Sequence, residues 1–374
     1  MPTPPAFTVA PPPTVRPHDQ EELLTRSLAT LFGDIDPAAL ALLRGELQWV
    51  EVAGGEHLMR QGDAGDAMYL VISGRLRAFV AGDNGTPRLL REMARGQVIG
   101  ELSLITDAPR SATVLALRDS MLVRLAKPAF TRLLAANGEL SLAITRQIVR
   151  RLQSDAAPPH PVAPVVMALV PISDGVDAGA LAGLLAQALQ TSARTGTSTS
   201  ARVRVLDAAG LDALLQQPGL ARADPADTGA NRRIALLLDE VEAQVDHLLL
   251  VADTTPTPWT QRCARQADEL LLLADATRPP QLHPNETGCL MQRATGSAAQ
   301  EVLLLLHPDV RAQPHGTQGW LARRPLADHV HLRRGHAGDL ARLARLQART
   351  AVGLVLAGGG ARGLAHLGVW RALQ

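Results

Sequence analysis

Glu101 and Arg110 stand close together in two adjoining runs, Ile99-Gly100-Glu101-Leu102-Ser103-Leu104 and Ala108-Pro109-Arg110-Ser111-Ala112-Thr113. This set of residue types suits a ribose phosphate. Backbone N–H groups of a short turn over Gly100, Glu101, Leu102 and Ser103 can hold a phosphate, Arg110 can pair with two of its oxygens, and Glu101 can accept from a ribose hydroxyl. Without context, the same residues also describe a β-barrel loop with an ordinary Glu–Arg ion pair. A second run, Leu354-Val355-Leu356-Ala357-Gly358-Gly359-Gly360-Ala361-Arg362-Gly363-Leu364-Ala365-His366, passes from an apolar segment through glycines into a helical pattern. Consecutive glycines can turn successive N–H groups toward one anion at a positive helix start. Formally, Gly358, Gly360 and Gly363 also make a dinucleotide fingerprint, but the acidic residue about 20 positions on would fall past Gln374.

Other chemistry is excluded by what is missing. Lys127 is the only lysine, so no loop after a strand in the middle of the chain can place a lysine on the β and γ phosphates of a nucleotide. Cys263 and Cys289 form no CxxC pair and have no histidine at ligand spacing, which argues against both a disulfide framework and a metal site. Asp328-His329-Val330-His331 alternates like a strand with outward histidines. Trp259 and Cys263, one helical turn apart, are expected to pack on a sheet.

The elements that must position these groups follow from periodicity. Leucines 23, 24, 28, 31, 40, 42 and 43 fall at helical spacing, broken at Gly33 to Pro37, giving two short helices. Short alternating segments at 47–52, 68–72, 76–80 and 121–125, separated by Gly, Asp and Asn clusters, indicate an antiparallel β-roll or barrel. A helical region from Pro128 to Leu152 closes it. The prolines of 155–164 then break the chain. Beyond them, all-apolar strands at 165–170, 203–206, 247–251, 269–273 and 301–306 alternate with helices at 178–190, 230–244 and 259–267, the pattern of a parallel sheet covered on both faces. Val352 to Leu356 reads as one more strand.

Residues 46–153 resemble a cyclic-nucleotide-binding domain throughout, with the turn glycines of Arg60 to Gly74 at that family's spacing. The resemblance implies that Glu101 takes the ribose 2′-hydroxyl, Arg110 the cyclic phosphate and Ser111 a further hydrogen bond, with Ala112 beside them. Ser111 in place of threonine leans toward cAMP. A transcription regulator of this type would continue into a helix-turn-helix, whereas here a proline linker and a strand follow. The run Val251 to Asp268, which includes Thr257-Pro258-Trp259-Thr260-Gln261-Arg262-Cys263-Ala264-Arg265-Gln266-Ala267-Asp268, resembles a degenerate member of the ParA-type ATPase class and, more closely, the stretch between the regulatory and catalytic parts of neuropathy target esterase. Gly358-Gly359-Gly360-Ala361-Arg362-Gly363 closely resembles the oxyanion loop of patatin-like phospholipases. That family attacks with a serine in a GxSxG elbow, activated by an aspartate in a later Asp-Gly-Gly or Asp-Gly-Ala motif. This sequence holds no GxSxG, and Asp174-Gly175 precedes the loop and is followed by valine. No catalytic nucleophile or aspartate is therefore assigned, His366 is left as a packing residue, and the expectation is of an inactive, C-terminally truncated chain.

The fold class expected is multidomain α+β and α/β. It comprises a proline-rich, disordered 1–18, a cyclic-nucleotide-binding β-roll with flanking helices over 19–154, and a linker over 155–164. A doubly wound, Rossmann-like, degenerate P-loop-like α/β linker domain spans 165–345, and the first strand, loop and helix of a patatin-like α/β domain span 346–374. The function expected is the regulatory and linker portion of a serine lipid hydrolase; the alternative is a stand-alone nucleotide sensor or scaffold without catalysis. Partners expected are a cyclic nucleotide (cAMP or cGMP), and phospholipid or lysophospholipid through a missing C-terminal part. No catalytic cofactor or metal is expected. A net charge of +1, from 37 basic against 36 acidic residues, argues against nucleic acid. Apolar runs such as Leu248 to Ala252 fall far short of the ~18 residues of a membrane span. The N-terminal prolines do not make a signal peptide. A cytoplasmic protein is expected, with at most peripheral membrane contact.

Overall fold

The computed structural model describes residues 37–82, 87–136, 165–191, 200–291, 299–308, 316–356 and 364–372, with Leu24, Thr25, Leu28, Gly138 and Pro314 besides. The proline-rich start, the linker 155–164, the end of the first closing helix and Gly358 to Gly363 lie outside the described residues.

Helix α1 (Pro37–Glu46) leads into β1 (Leu47–Val52), β2 (His57–Met59), β3 (Ala67–Ser73), β4 (Arg75–Ala81), β5 (Pro87–Ala94), β6 (Val98–Ile99), α2 (Glu101–Thr106), β7 (Thr113–Ala116), β8 (Ser120–Ala126) and α3 (Lys127–Ala136). The strands make two antiparallel four-stranded sheets, ordered β1-β8-β3-β6 and β2-β7-β4-β5. Between them, alternate side chains such as Val71, Leu76, Met93, Val114 and Leu122 form a buried core. This is the expected β-roll.

The second half contains β9 (Val166–Pro171), α4 (Ala178–Thr191), β10 (Val203–Leu206), α5 (Ala208–Leu215), α6 (Thr228–Gln244), β11 (His247–Val251), α7 (Pro258–Gln266) and β12 (Glu269–Asp275). After it come β13 (Gln300–His307), α8 (Thr317–Leu321), β14 (Asp328–Arg333) and α9 (Ala337–Gln347). The sheet is parallel, ordered β10-β11-β9-β12-β13-β14. Every residue of β9 is buried, because successive side chains point to opposite faces and both faces are covered. Val166, Ala168 and Val170 meet Ile234, Leu237, Trp259 and Cys263 on one side. Met167 and Leu169 meet Leu185, Leu189, Leu343 and Ala344 on the other.

Helix α6 joins the two halves. Ile234, Leu237, Leu238 and Val241 belong to the sheet's core, while Leu236 belongs to the cluster that holds Leu70, Val123 and Phe130 of the β-roll. Around that contact runs a seam of ion pairs. Arg118 Nη2 reaches Glu242 Oε2 at 2.5 Å, and Arg75 spans Glu242 at 3.4 Å and Asp268 at 3.1 Å. Arg95 meets Asp239 at 3.2 Å, and the other oxygen of that carboxylate accepts from Gly74 N–H at 3.3 Å. Burial opposes the charge of Arg118, but Glu242, Asp268 and Asp239 outweigh it and raise its pKa. Burial lifts Asp239 to about 6 despite Arg118 and Arg95, with Glu242 adding to the lift.

The C-terminal segment differs from expectation. Val352 to Leu356 forms no ladder, and Val352 and Val355 are 94% and 92% exposed. An apolar run becomes a strand only where an edge offers hydrogen-bond partners, and no described strand supplies one. Helix α10 (Ala365–Ala372) follows with no buried residue. Among the described residues no helix is long and apolar enough to cross a membrane.

Candidate functional site

Strand β6 is followed by Gly100, whose backbone is left-handed with φ of 82°. A Cβ there would lie 2.4 Å from Arg110 Nη1, so both the dihedral and the space require glycine. Where the sequence suggests a turn, the chain makes the short helix α2, which ends at the left-handed Asp107. It then returns through Ala108 and Pro109 to Arg110. The backbone of Arg110 is pinned from both sides: its N–H donates to Asp63 O at 2.8 Å, and its carbonyl accepts from Gly62 N–H at 2.9 Å. Its buried guanidinium donates from Nη1 to Gly100 O at 3.0 Å and from Nη2 to Asp66 Oδ1 at 3.2 Å. Ser103 Oγ donates to Pro109 O at 3.4 Å, closing the loop on itself.

These residues surround one cavity of about 150 Å³, open on one side, which Gly100, Glu101, Leu102, Ser103, Arg110, Ser111 and Ala112 all line. Glu101 is buried in its wall, while Ser111 is exposed at its rim. Met59, Ala78, Leu90 and Met93 give an apolar side on which a flat ring can lie. The enclosed volume is small beside the ~300 Å³ and more of typical ligand sites, so it suits the charged half of a nucleotide and leaves the rest toward the opening.

Sequence reasoning missed three contributors. Asp66 binds both Arg110 and Arg124, the latter at 2.8 Å. Burial pushes the Asp66 carboxyl up, but the Arg124 hydrogen bond and charge, aided by Arg110, bring it below the usual carboxylate range. Arg91, on β5, lines the cavity and donates to Val98 O at 3.3 Å. Asp66 sits in the glycine-rich run from Arg60 to Gly74, where only the turn residues carry a visible signal.

A second crevice lies where the strand order reverses, beside the carboxyl end of β9, the position at which open α/β sheets hold ligands. It is wide, about 670 Å³, and Gly175, Asp177, Asp207, Arg222, Asp253 and Thr257 line it. Its anion positions are already filled by the protein itself. Asp177 Oδ1 accepts from Ala180 N–H at 2.9 Å, at the start of α4. Arg222 is held by Asp253 through two bonds of 2.9 and 2.7 Å, and Thr257 Oγ1 donates to the same carboxylate at 2.6 Å. Burial pushes Asp253 up, yet the bonds from Arg222 and Thr257 hold it below its ordinary range.

Elsewhere, Trp259 and Cys263 pack on the sheet as expected, with Trp259 Nε1 donating to Val251 O at 2.8 Å. Both cysteines are buried free thiols; burial drives Cys263 well up and Cys289 to about 11. Val330 and Leu332 face the core, His329 is exposed and His331 half-buried. His331 Nδ1 lies 2.9 Å from Nε2 of the buried His307, a partner the sequence does not reveal. Among the described residues no group of three or more His, Cys, Asp or Glu is arranged to hold a metal ion.

Comparison with known proteins agrees with both halves of the molecule. Residues 49–137 match the cyclic nucleotide-binding domain family, and residues 165–351, half of the chain, match the P-loop like domain of the neuropathy target esterase family. The chain belongs to the neuropathy target esterase family. Patatin-like phospholipase domain-containing protein 7 of Rattus norvegicus is 33% identical over 376 residues, covering 87% of this chain and 26% of that protein. Lysophospholipase NTE1 of Coccidioides immitis is 27% identical over 426 residues, covering 95% of this chain and again 26% of the relative. The chain thus spans about a quarter of the length of these relatives. Among solved structures, the regulatory domain of Toxoplasma gondii PKA with cAMP is 30% identical with a TM-score of 0.30, covering 32% of this chain and 46% of that one.

Proposed function

We propose that this chain is the sensing and linking portion of a patatin-like serine lipid hydrolase, with residues 19–154 as the nucleotide sensor and 165–345 as the linker. In this reading Arg110 pairs with the cyclic phosphate, and the N–H groups from Gly100 to Ser103 and Ala112 surround it. Glu101 accepts from the ribose 2′-hydroxyl and Ser111 adds a hydrogen bond at the rim. The observation that carries it is the convergence of all seven residues on one cavity, with a buried arginine at its base. Asp66 acts as a resident counter-ion that a phosphate can replace.

Gly358 to Gly363 would then belong to the oxyanion hole of a phospholipase or lysophospholipase, a reading supported by the phospholipase and lysophospholipase relatives. The chain itself contains no GxSxG. It is expected to leave both a short-chain p-nitrophenyl ester and a lysophospholipid intact, because an oxyanion hole without a nucleophile closes the acyl-enzyme route. We place the protein in the cytoplasm, with lipid reached at a membrane surface.

The test is titration calorimetry with cAMP and cGMP on the wild type and on Arg110→Ala. Wild type is expected to bind at micromolar concentration, and the variant not measurably. Failure of both ligands to bind wild type at millimolar concentration overturns the sensor.

A further inference from the structure

Arg262, in the middle of α7, is 5% exposed yet has no carboxylate within ion-pair distance among the described residues. Its Nη2 donates to Asn231 Oδ1 at 2.7 Å, and its Nε is buried without a partner. An arginine cannot shed its charge, so burial without a counter-ion is costly unless something else supplies one. The side chain lines a cavity of about 340 Å³ between the β-roll and α6, within the ~300–1,000 Å³ range of small-molecule sites.

Two of the three acidic groups around that cavity are paired with arginine, and the third, Glu56, is exposed at its edge. Asp119 accepts from Arg265 Nε at 3.1 Å and from Gly54 N–H at 3.0 Å. Glu51 is held by Arg232 at 2.8 Å, and Glu56 accepts from Ala53 N–H at 3.1 Å. Of the three arginines and three carboxylates in the lining, Arg262 is the buried cation without a direct carboxylate contact, with Gln266 beside it and an apolar wall that includes Val52, Met121, Ile234 and Leu238. Burial and the neighbouring Arg265 lower the pKa of Arg262, and Asp119, already bonded to Arg265, offsets them only in part.

We propose that this interdomain cavity binds an anionic amphiphile, a single negatively charged head on a short apolar tail, with Arg262 as its counter-ion. Wall chemistry sets the class: one unmatched cation selects a charged head, and the aliphatic side favours a hydrocarbon tail over a second polar group. The cavity is separate from the Arg110 cassette and shares no lining residue with it. The inference therefore stands whether or not a cyclic nucleotide binds.

The experiment uses the full chain and three probes of one tail length: decanoate, monodecyl phosphate and the neutral decanol. Binding is followed by calorimetry and by the shift in Tm. At least one of the two anions is expected to bind and raise Tm, with decanol about tenfold weaker or worse, the loss of one charge-assisted contact. In Arg262→Met, which keeps the unbranched apolar stem without the charged guanidinium, anion affinity is expected to fall by a similar factor to the level of decanol. The Tm of the ligand-free variant should equal or exceed that of wild type, since an uncompensated charge has been removed. A variant that loses Tm while keeping wild-type anion affinity would show Arg262 to be structural and overturn the proposal. So would decanol binding as tightly as the anions, or no binding by any probe at millimolar concentration.

Discussion

Two crevices among the described residues share the same elementary plan, a glycine turn running from a strand into a helix start, yet in the proposed reading only one takes a phosphate. At Gly100 the turn delivers a buried arginine whose partner, Asp66, has a side chain 63% exposed and can be displaced. At Gly175 the turn leads to Asp177, whose carboxylate accepts from the Ala180 N–H in the first turn of α4, while Arg222 is locked by two bonds to Asp253. Backbone geometry makes an anion site possible; the charge of the side chains that reach it decides whether an outside anion enters. The lysine missing from residues 165–180 is thus half of the change, and the resident carboxylates are the other half.

The sharpest way to break this comparison is to remove the cation from the cassette. Arg110→Ala should cost about 2–5 kcal/mol of nucleotide binding, the loss of a buried charged partner, whereas Arg222→Ala should alter no nucleotide affinity. A calorimetric titration of both variants decides it, and equal effects would erase the distinction.

Next in size is the seam between the two halves. Asp239 is lifted from 3.8 to about 6 in the folded protein, so between those values the folded state holds a proton that the unfolded state has lost. Stability contributed by this group is therefore greatest below about pH 4, falls as pH rises, and has dropped by ~3 kcal/mol above about pH 6. Urea midpoints of wild type and Asp239→Asn near pH 4 and pH 7 should show this slope only in wild type; parallel profiles would mean that Arg95 and Gly74 fully compensate the buried charge.

Gly100→Ala forces a side chain into a left-handed backbone, which costs about 1–2 kcal/mol, and pushes against Arg110 Nη1. It should lower both Tm and nucleotide affinity, while Gly175→Ala, with no atom closer than 3.5 Å to the new Cβ, should lower Tm alone. The smallest effect concerns the helix start: Asp177→Ala should cost roughly 1 kcal/mol of stability through the lost cap. Neither it nor wild type should release phosphate from ATP and magnesium; turnover that survives purification and disappears in Asp253→Ala would restore the second crevice as a nucleotide site.

The stretch that lines the cavity from Gly100 to Ala112 was legible because it falls in two short runs joined by a turn and a short helix, where spacing along the chain is close to the geometry. Strands β3, β4, β9 and β12 were legible for a similar reason, since their alternating or continuous apolar patterns are local. Contacts across the fold left no such trace. Asp66 meets Arg110 only because β3 is brought beside the cassette, and nothing in the sequence of α6 tells Leu236 and Asp239, which face the β-roll, from Leu237 and Val241, which face the sheet. Val352 to Leu356 failed in the opposite direction, since its local pattern is that of a strand and pairing is a property of neighbours.

Helix α6 also bears on how separable the two halves are. A β-roll released on its own would lose the Leu236 contribution to its core cluster and would leave Arg75 and Arg118 stripped of Glu242 and Asp268. An α/β half alone would keep Asp239 and Glu242 as a bare acidic ridge. Modularity here ends at the level of sequence families: in physical terms the β-roll and the α/β half are a single graft, and a β-roll transplanted from another protein would need to bring its own arginines to fit the stump.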